Sequence, residues 1–223
     1  MNIREIFLYI PIVLINLYGL YLSQTDRERY TVLFDHEDHF AEWCSILLLL
    51  LLVLVCIYRA VRNIHYNRGH MIANAFYAAA FLFMSGEEIS WGQRIFNLEP
   101  GEWIIKHSYQ NEINIHNLLV FDMRLTNILD VVWVIVMLVY LFIIAPLYWK
   151  KSGITAYIDK IALPVPRLRQ IAFLIVIVIC VDVYLYFDGL RSGEHLEMNL
   201  FYFYLMVFLF PCNSYRYNRQ STA

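Results

Sequence analysis

The chain has 223 residues, of which 60% are hydrophobic and 17% aromatic, and its formal net charge is −2. A soluble domain of this length normally contains more charge and less apolar content. The apolar residues also come in blocks, several of which reach the roughly 20 residues that a helix needs to cross a bilayer core. The composition therefore favours an integral membrane protein, and the negative net charge argues against nucleic-acid binding.

Six apolar blocks predict an all-α, polytopic membrane helix bundle with about six transmembrane helices. The blocks cover residues 5–23, 41–61, 71–93, 127–149, 168–188 and 196–212. The second block is the clearest, because residues 47–52 are an unbroken run of leucine. Helices of a large soluble protein would show polar faces, whereas these blocks are apolar on all sides. We expect one integral membrane domain over residues 1–223.

The distribution of lysine and arginine predicts that both termini are cytoplasmic. Basic residues are enriched in the cytoplasmic loops of membrane proteins. With the N-terminus inside, the cytoplasmic face has eleven of the 17 basic residues. These are Arg4, Arg59, Arg62, Arg68, Lys150, Lys151, Lys160, Arg167, Arg169, Arg216 and Arg219.

Acidic residues are distributed even less evenly than the basic ones. Of the 19 aspartates and glutamates, only Glu5 and Asp159 fall near the predicted cytoplasmic face. Acidic residues have little influence on topology, so this asymmetry has another origin. It indicates either a solvated acidic rim or an outward-facing cavity that binds cations or carries out chemistry.

Residues 85–94, with the sequence SGEEISWGQR, place two adjacent carboxylates at the end of the third apolar block. A charged residue at membrane depth costs roughly 2.5–3.5 kcal/mol on insertion scales. Glu87 and Glu88 also repel each other, so the pair contributes nothing as packing. One of them could form an ion pair with Arg94, but two in succession indicate a polar site.

A second cluster lies in residues 109–117, with the sequence YQNEINIHN. If this segment is helical, Glu112 and His116 share one face because they are four residues apart. They would then bind one ion together, or the carboxylate would orient the imidazole of a ligand. The alternative is an amphipathic segment that lies along the membrane surface.

Acidic residues also precede the second block. Asp35, Glu37 and Asp38 either cap the following helix or face a cavity, since acidic groups are favourable at a helix N-terminus. Glu42 lies about one turn inside the block, next to Trp43, and we expect it to face the cavity.

The third cluster is at the start of the sixth block, where Glu194 and Glu197 are i,i+3 neighbours around His195. Capping of the helix accounts for part of this pattern. The recurrence of glutamate and histidine at the same membrane depth favours a shared site with the other clusters.

Residues 86–95, GEEISWGQRI, resemble a segment of a family of small polytopic bacterial membrane proteins. The match extends to residues 110–117, QNEINIHN, and to the acidic entry at 37–43. This resemblance implies a protein of the bacterial inner (plasma) membrane and supplies no reaction. The chain is similar to membrane metal hydrolases of the alkaline ceramidase type only in having Glu, Ser and His at outer helix ends. It lacks their paired histidines on a late helix.

These patterns lead to a hypothesis and two alternatives. The hypothesis is a metal-dependent membrane enzyme that acts on a lipid or lipid-linked substrate, with Glu42 or Glu197 as general base. Carboxylate and imidazole ligands suit Zn, Fe or Mn. The alternatives are an ion- or proton-coupled transporter and a non-catalytic accessory subunit. The predicted metal ligands are Glu87, Glu88, Glu112, His116 and His195.

Overall fold

The computed structural model describes residues 3–36, 39–120 and 123–214. The predictions for Glu37, Asp38, Arg216 and Arg219 lie outside these residues. The described part is all-α apart from one short hairpin.

Nine helices are present in the described residues, two of which contain a π-helical turn. They are α1 (Ile3–Thr25), α2 (Arg27–Phe34), α3 (Phe40–Asn63), α4 (Arg68–Glu88), α5 (Glu102–His107), α6 (Leu125–Trp149), α7 (Thr155–Lys160), α8 (Leu168–Phe187) and α9 (Gly193–Leu209). Strands β1 (Leu119–Val120) and β2 (Met123–Arg124) pair antiparallel, with Val120 opposite Met123.

Four of the described helices, α1, α3, α6 and α8, are long and apolar enough to cross a membrane. Their outward surfaces are apolar as well. In α6, for example, Val131, Val134 and Ile135 are each more than half exposed, at 59%, 55% and 55%. Such an extended apolar surface is unfavourable in water and suited to lipid. The membrane character predicted from composition is therefore confirmed for these four helices.

The other two predicted spans are also helices, but they differ from the four in composition or length. α4 has 21 residues and ends in two glutamates, and α9 has only 17 residues. α3 packs against each of them. α9 lies inside the bundle, with ten of its 17 residues buried, and a helix surrounded by other helices needs less apolar surface than one that faces lipid. α4 instead buries one side against α3 and leaves Ile72 and Phe76 exposed on the other. A total of six crossing helices remains a prediction.

α9 forms the centre of the bundle, with a buried apolar cluster on each side. On one side, Met206 packs with Leu49 and Leu52 of α3 and with Ile12 of α1. On the other side, Phe203 and Val207 pack with side chains of α6 and α8. The core thus fixes the N-terminus of α9 next to the N-terminus of α3 and the C-terminus of α4.

At the end of the bundle opposite this junction, both acidic residues are paired. Glu5 is 1% exposed and accepts hydrogen bonds from Arg167, at 3.0 Å, and from Arg169, which binds its two oxygens. Asp159 accepts a hydrogen bond from the Tyr148 hydroxyl at 2.8 Å. These two carboxylates are explained by internal pairing and form no open site.

The third apolar block ends earlier than predicted. The sequence predicted a helix to residue 93, but α4 ends at Glu88 and a tight turn follows. Ser90, Trp91 and Gly92 have φ values of 46°, 52° and 81°, which is the left-handed region. Residues other than glycine occupy this region at a cost of about 1–3 kcal/mol each. The turn therefore needs compensating contacts, and these are found at the candidate site.

Candidate functional site

Glutamates from three helices lie together at one end of the bundle. Glu42 comes from the first turn of α3, Glu87 and Glu88 from the last turn of α4, and Glu194 and Glu197 from the start of α9. Glu88 interacts electrostatically with all of the others. α3 packs against both α4 and α9. This packing brings the acidic ends of the three helices to the same depth.

Glu87 joins the end of α4 to the loop formed by residues 108–117. It is 7% exposed and accepts a hydrogen bond from Trp91 Nε1 at 2.7 Å. Its other oxygen accepts from the backbone N–H groups of Ile115, at 2.7 Å, and His116, at 3.1 Å. His116 Nδ1 also lies 3.5 Å from this oxygen. Glu87 is therefore a well-partnered structural carboxylate.

Glu112 is part of this loop and binds it to the turn after α4. One of its oxygens accepts hydrogen bonds from Ser90 Oγ at 2.9 Å, Asn114 Nδ2 at 2.8 Å and Asn117 Nδ2 at 3.1 Å. The other accepts from the Arg94 guanidinium at 2.7 Å. Hydrogen bonds to a charged group are stronger than neutral ones and offset the backbone cost at Ser90.

Arg94 connects this network to α3. Its guanidinium donates to Glu112 and lies 3.9 Å from Glu42 Oε1. The sequence suggested an ion pair of Arg94 with Glu87 or Glu88, whereas the ion pairs seen among the described residues are with Glu112 and Glu42. Arg94 therefore compensates part of the negative charge of Glu42 in α3 and of Glu112 in the loop.

The remaining residues of the 85–94 segment also contact the loop or shape the turn. Gln93 Oε1 accepts from the Ile113 N–H at 2.6 Å, and Gln93 Nε2 donates to the Asn111 carbonyl at 3.1 Å. A Cβ atom added at Gly86 would lie 3.0–3.1 Å from the Trp91 indole. Glycine at this position allows the indole to lie against the helix, where it reaches Glu87.

The loop 108–117 is irregular, so the predicted helical face shared by Glu112 and His116 is wrong. The backbone of the loop bonds to side chains and to the start of α6 instead. The carbonyl of His116 accepts hydrogen bonds from the backbone N–H of Thr126, at 2.9 Å, and from its hydroxyl, at 2.6 Å. The loop is thereby fixed between α4 and α6 over the end of the bundle.

Glu88, Glu194 and Glu197 form a separate group, which we call the carboxylate triad. Each is partly buried, and their nearest oxygens all lie within 4.8 Å of one another. Among the residues that the structure describes, no lysine or arginine comes within 4.0 Å of Glu88 or Glu197. Two like charges about 4 Å apart repel by roughly 4 kcal/mol near a protein surface. A cation or shared protons would relieve this repulsion.

The donor set of the carboxylate triad suits a hard divalent cation. Three carboxylate oxygens within 4.8 Å of one another are close enough to bind one ion. Since the three ligands are all carboxylates, the donor set favours Ca²⁺ or Mn²⁺ over Zn or Fe.

His195 lies on a different face of α9 from the triad. It is fully buried, its Nδ1 is 3.3 Å from the Tyr30 hydroxyl, and its ring packs at 4.6 Å on Phe34. Successive residues on a helix point about 100° apart, whereas residues three apart share a face. Glu194 and Glu197 therefore reach Glu88, and His195 between them points to α1 and α2.

The predicted metal ligands are thus separated into three environments. In the described part of the chain, the group close enough to share an ion contains Glu88 but none of Glu87, Glu112, His116 or His195. Glu197, predicted as a general base, belongs to this group, and Glu194 joins it. The sequence signal for Glu194 was its i,i+3 spacing from Glu197.

Glu42 is 4% exposed and lies beside the carboxylate triad. It interacts electrostatically with Glu88 and Glu197 and is neighboured by Arg94. That Glu42 faces a cavity stays a prediction, and so does its role as a base.

The acidic entry before α3 does not cap that helix through Asp35. Asp35 follows α2, where its backbone N–H donates to the Thr31 carbonyl, and α3 starts after His39 without a side-chain cap. Burial raises the pKa of Asp35, and the nearby charges of Arg191 and His36 oppose this effect. Asp35 therefore ends one helix instead of starting the next.

A second polar group lies deeper in the bundle, and we call it the interior polar cluster. Asn16 of α1 and Asn199 of α9 exchange side-chain hydrogen bonds of 2.8 Å and 3.1 Å. Asp182 of α8 is 6% exposed, and its carboxylate interacts with the Asn199 side chain but has no hydrogen bond of 3.5 Å or less among the described residues. It lies in a π-helical turn, Val178–Val183, a feature often found at functional sites.

Replacing Gly19 with alanine is expected to destabilise the packing of His195. The added Cβ would lie 2.8 Å from His195 Cε1, and overpacking of this kind costs about 1–3 kcal/mol. Chemical unfolding of the purified protein in detergent measures the change. Gly101→Ala is the control, since a Cβ there meets nothing within 4 Å. Equal stability of the two variants would show that His195 is not fixed against α1.

No family model, curated protein or solved structure matches the chain. The resemblance of residues 86–95 to a bacterial membrane family therefore stays a prediction.

Proposed function

We propose that the chain is a multi-pass protein of the bacterial inner membrane that binds a hard divalent cation at the outer end of its bundle. The bound cation would serve a metal-dependent reaction on a lipid or lipid-linked substrate. The single observation that carries this proposal is the carboxylate triad, in which Glu88, Glu194 and Glu197 lie within 4.8 Å of one another.

The surroundings of the triad support a binding role over a purely structural one. Glu87 and Glu112 show how this protein uses structural carboxylates, because each accepts hydrogen bonds from several donors. Glu88 and Glu197 differ, since their neighbours are mainly other carboxylates. A loop and a turn fixed by the structural pair hold Glu88 in place, as a rigid site requires.

The chemistry would be divided among these residues. The triad would hold the cation, which polarises a substrate oxygen or a water molecule. Of the two predicted bases, Glu197 belongs to the triad, so Glu42 would accept the proton from water. Arg94, 3.9 Å from Glu42, would keep that carboxylate oriented. The position at the end of the bundle gives access to lipid headgroups.

In the proposed topology, six helices cross the membrane and both termini are in the cytoplasm. Helices α4 and α9 would be the two further spans, with their glutamates at the outer end. The excess of basic residues at the opposite end supports this orientation.

Proton- or ion-coupled transport is the second candidate function, and the observation that favours it is Asp182. A buried acidic side chain in an apolar helix marks an ion or proton pathway in many membrane proteins. Here Asp182 is buried, and apart from its interaction with Asn199 neither of its oxygens has a hydrogen bond of 3.5 Å or less among the described residues. On this alternative, ion binding would depend on Asp182 and not on Glu88.

A titration of metal-free purified protein with Mn²⁺, followed by electron paramagnetic resonance, tests the proposal. We expect one bound Mn²⁺ per chain, displaced by Ca²⁺. Glu88→Gln and Glu197→Gln should each weaken binding by about tenfold or more, equivalent to at least roughly 1.4 kcal/mol, since each removes a charged ligand. Glu42→Gln should still bind Mn²⁺. With a lipid extract as substrate, this variant should form none of the product that the natural protein forms.

Glu102→Gln is the matched control, because Glu102 is an exposed glutamate of α5 outside the site. Its Mn²⁺ affinity should equal that of the natural protein. Wild-type protein without stoichiometric Mn²⁺, or unchanged affinity in both triad variants that remain folded, would contradict the proposal. Loss of ion binding in Asp182→Asn alone would favour transport.

A further inference from the structure

Residues 95–107, which follow the left-handed turn after α4, present large apolar side chains on the surface, and we call them the apolar segment. Phe96, Trp103 and Ile105 are 71%, 59% and 53% exposed. The segment contains α5, and none of its six residues, all of which the structure describes, is buried. Neighbouring exposed apolar side chains mark a surface that contacts a partner or a membrane.

Helix α5 is amphipathic. Glu102 and Lys106 are both exposed, and they lie on one face because they are four residues apart. The three residues between them, Trp103, Ile104 and Ile105, occupy the rest of the helix circumference. A tryptophan on the apolar face and a lysine on the polar face are typical of helices that lie in the plane of the membrane–water interface.

The end of α5 is fixed beside the start of α6. Ser108, which directly follows α5, forms a β-bridge with Leu118. The Leu118 carbonyl accepts a hydrogen bond at 2.8 Å from the N–H of Leu125, the first residue of α6. Helix α6 has 25 residues. It is thus about 37 Å long, which exceeds the roughly 30 Å of the hydrocarbon core, so its ends lie near the lipid headgroups. The apolar segment is at the same depth.

The apolar segment continues the exposed side of α4 through three aromatic rings. Phe83 of α4 is 45% exposed, and its ring centroid lies 5.6 Å from that of Trp91. After the turn, Phe96 packs against Gly92, where an added Cβ would lie 2.9 Å from the Phe96 ring. Lipid is the partner that fits a continuous aromatic strip at headgroup depth, because aromatic side chains are enriched at membrane–water interfaces.

We propose that the apolar segment inserts its side chains into the headgroup boundary of the bilayer leaflet that surrounds the start of α6. Phe96 and Trp103 would reach the first carbons of the acyl chains, while Glu102 and Lys106 stay in water. Insertion into the hydrocarbon core is disfavoured, since Glu99 and Glu102 would have to be buried there. The proposal does not depend on whether the carboxylate triad binds a cation.

The test uses full-length protein that contains fluorotryptophan, in nanodiscs of phosphatidylcholine, and fluorine NMR. The signal of Trp103 is identified by its loss in Trp103→Phe. The apolar face of an interfacial helix lies about 5–10 Å into the headgroup boundary. A nitroxide on the lipid near the headgroup should therefore broaden the Trp103 signal several-fold more than a nitroxide at the end of an acyl chain. A water-soluble gadolinium chelate should also broaden it less.

The matched control is the double variant Trp103→Phe, Glu102→Trp, which keeps an aromatic side chain on the apolar face and moves the indole to the polar face of α5. The indole signal of this variant should be broadened mainly by the chelate. For Trp103, broadening mainly by the chelate would place the side chain in water, and broadening mainly by the chain-end nitroxide would place it in the core. Weak broadening by all three agents would indicate cover by protein, such as a second copy. Any of these results, or equal responses of the two indoles, would overturn the proposal.

Discussion

Replacing Glu87 with glutamine is expected to lower the free energy of unfolding by about 2–4 kcal/mol, although the two side chains have nearly the same shape. The carboxylate accepts from Trp91 Nε1 and from the N–H groups of Ile115 and His116. Glutamine keeps one acceptor oxygen and turns the other into an NH₂ group, which would face donors. Chemical unfolding in detergent measures the loss.

A second measurement shows where the stability of Glu87→Gln is lost. Hydrogen exchange at the Ile115 and His116 amides should become faster, because these two N–H groups would lose their acceptor. Glu102→Gln, at an exposed glutamate, should leave both quantities unchanged. If Glu87→Gln were as stable as this control, Glu87 would not be what holds the loop 108–117.

Replacing Glu112 with leucine is expected to cost a similar amount, about 2–4 kcal/mol, because it leaves the Arg94 guanidinium without its nearest counter-charge. The full cost of breaking a buried pair is reduced here, since the Arg94 side chain is 26% exposed and solvent screens its charge. Ser90, Asn114 and Asn117 would also lose an acceptor.

A double-mutant cycle separates the ion pair from the other contacts of Glu112. The combined variant Arg94→Met, Glu112→Leu should lose less stability than the sum of the single variants. The exposed pair Arg27–Asp188 has the same 2.7 Å separation and is the control, with an expected coupling of about 0–1 kcal/mol. Equal coupling energies for the two pairs would contradict the structural role of Glu112.

The helices could be predicted from the sequence where the apolar pattern is continuous. Runs such as 41–61 and 127–149 agree with α3 and α6 within a few residues, because a long apolar block has few other stable conformations in a membrane. The end of α4 could not be predicted in the same way. The helix stops at Glu88 because Ser90 and Trp91 adopt left-handed conformations, which are stabilised by the contact of Ser90 with loop 108–117 and by the hydrogen bond from Trp91 to Glu87.

The sequence indicated that acidic helix ends lie at one end of the bundle, but not which of their side chains lie close together. The acidic ends of three helices indicated a polar site, but helix periodicity could not show which glutamates are already paired. Glu112 and His116 were expected on one helix, and their segment is instead a loop whose shape depends on distant partners. His195 was expected beside the carboxylates, and its place next to Tyr30 depends on how α1 and α2 pack.

An anomalous diffraction map of crystals grown with Mn²⁺ shows directly whether the carboxylate triad binds a cation. We expect one peak between the side chains of Glu88, Glu194 and Glu197, at about 2.1–2.6 Å from their oxygens, the range for hard divalent cations. The peak should disappear in crystals of Glu88→Gln. A map without a peak at the triad, or with its principal peak beside Glu87 and Glu112, would show that the triad is not the cation site.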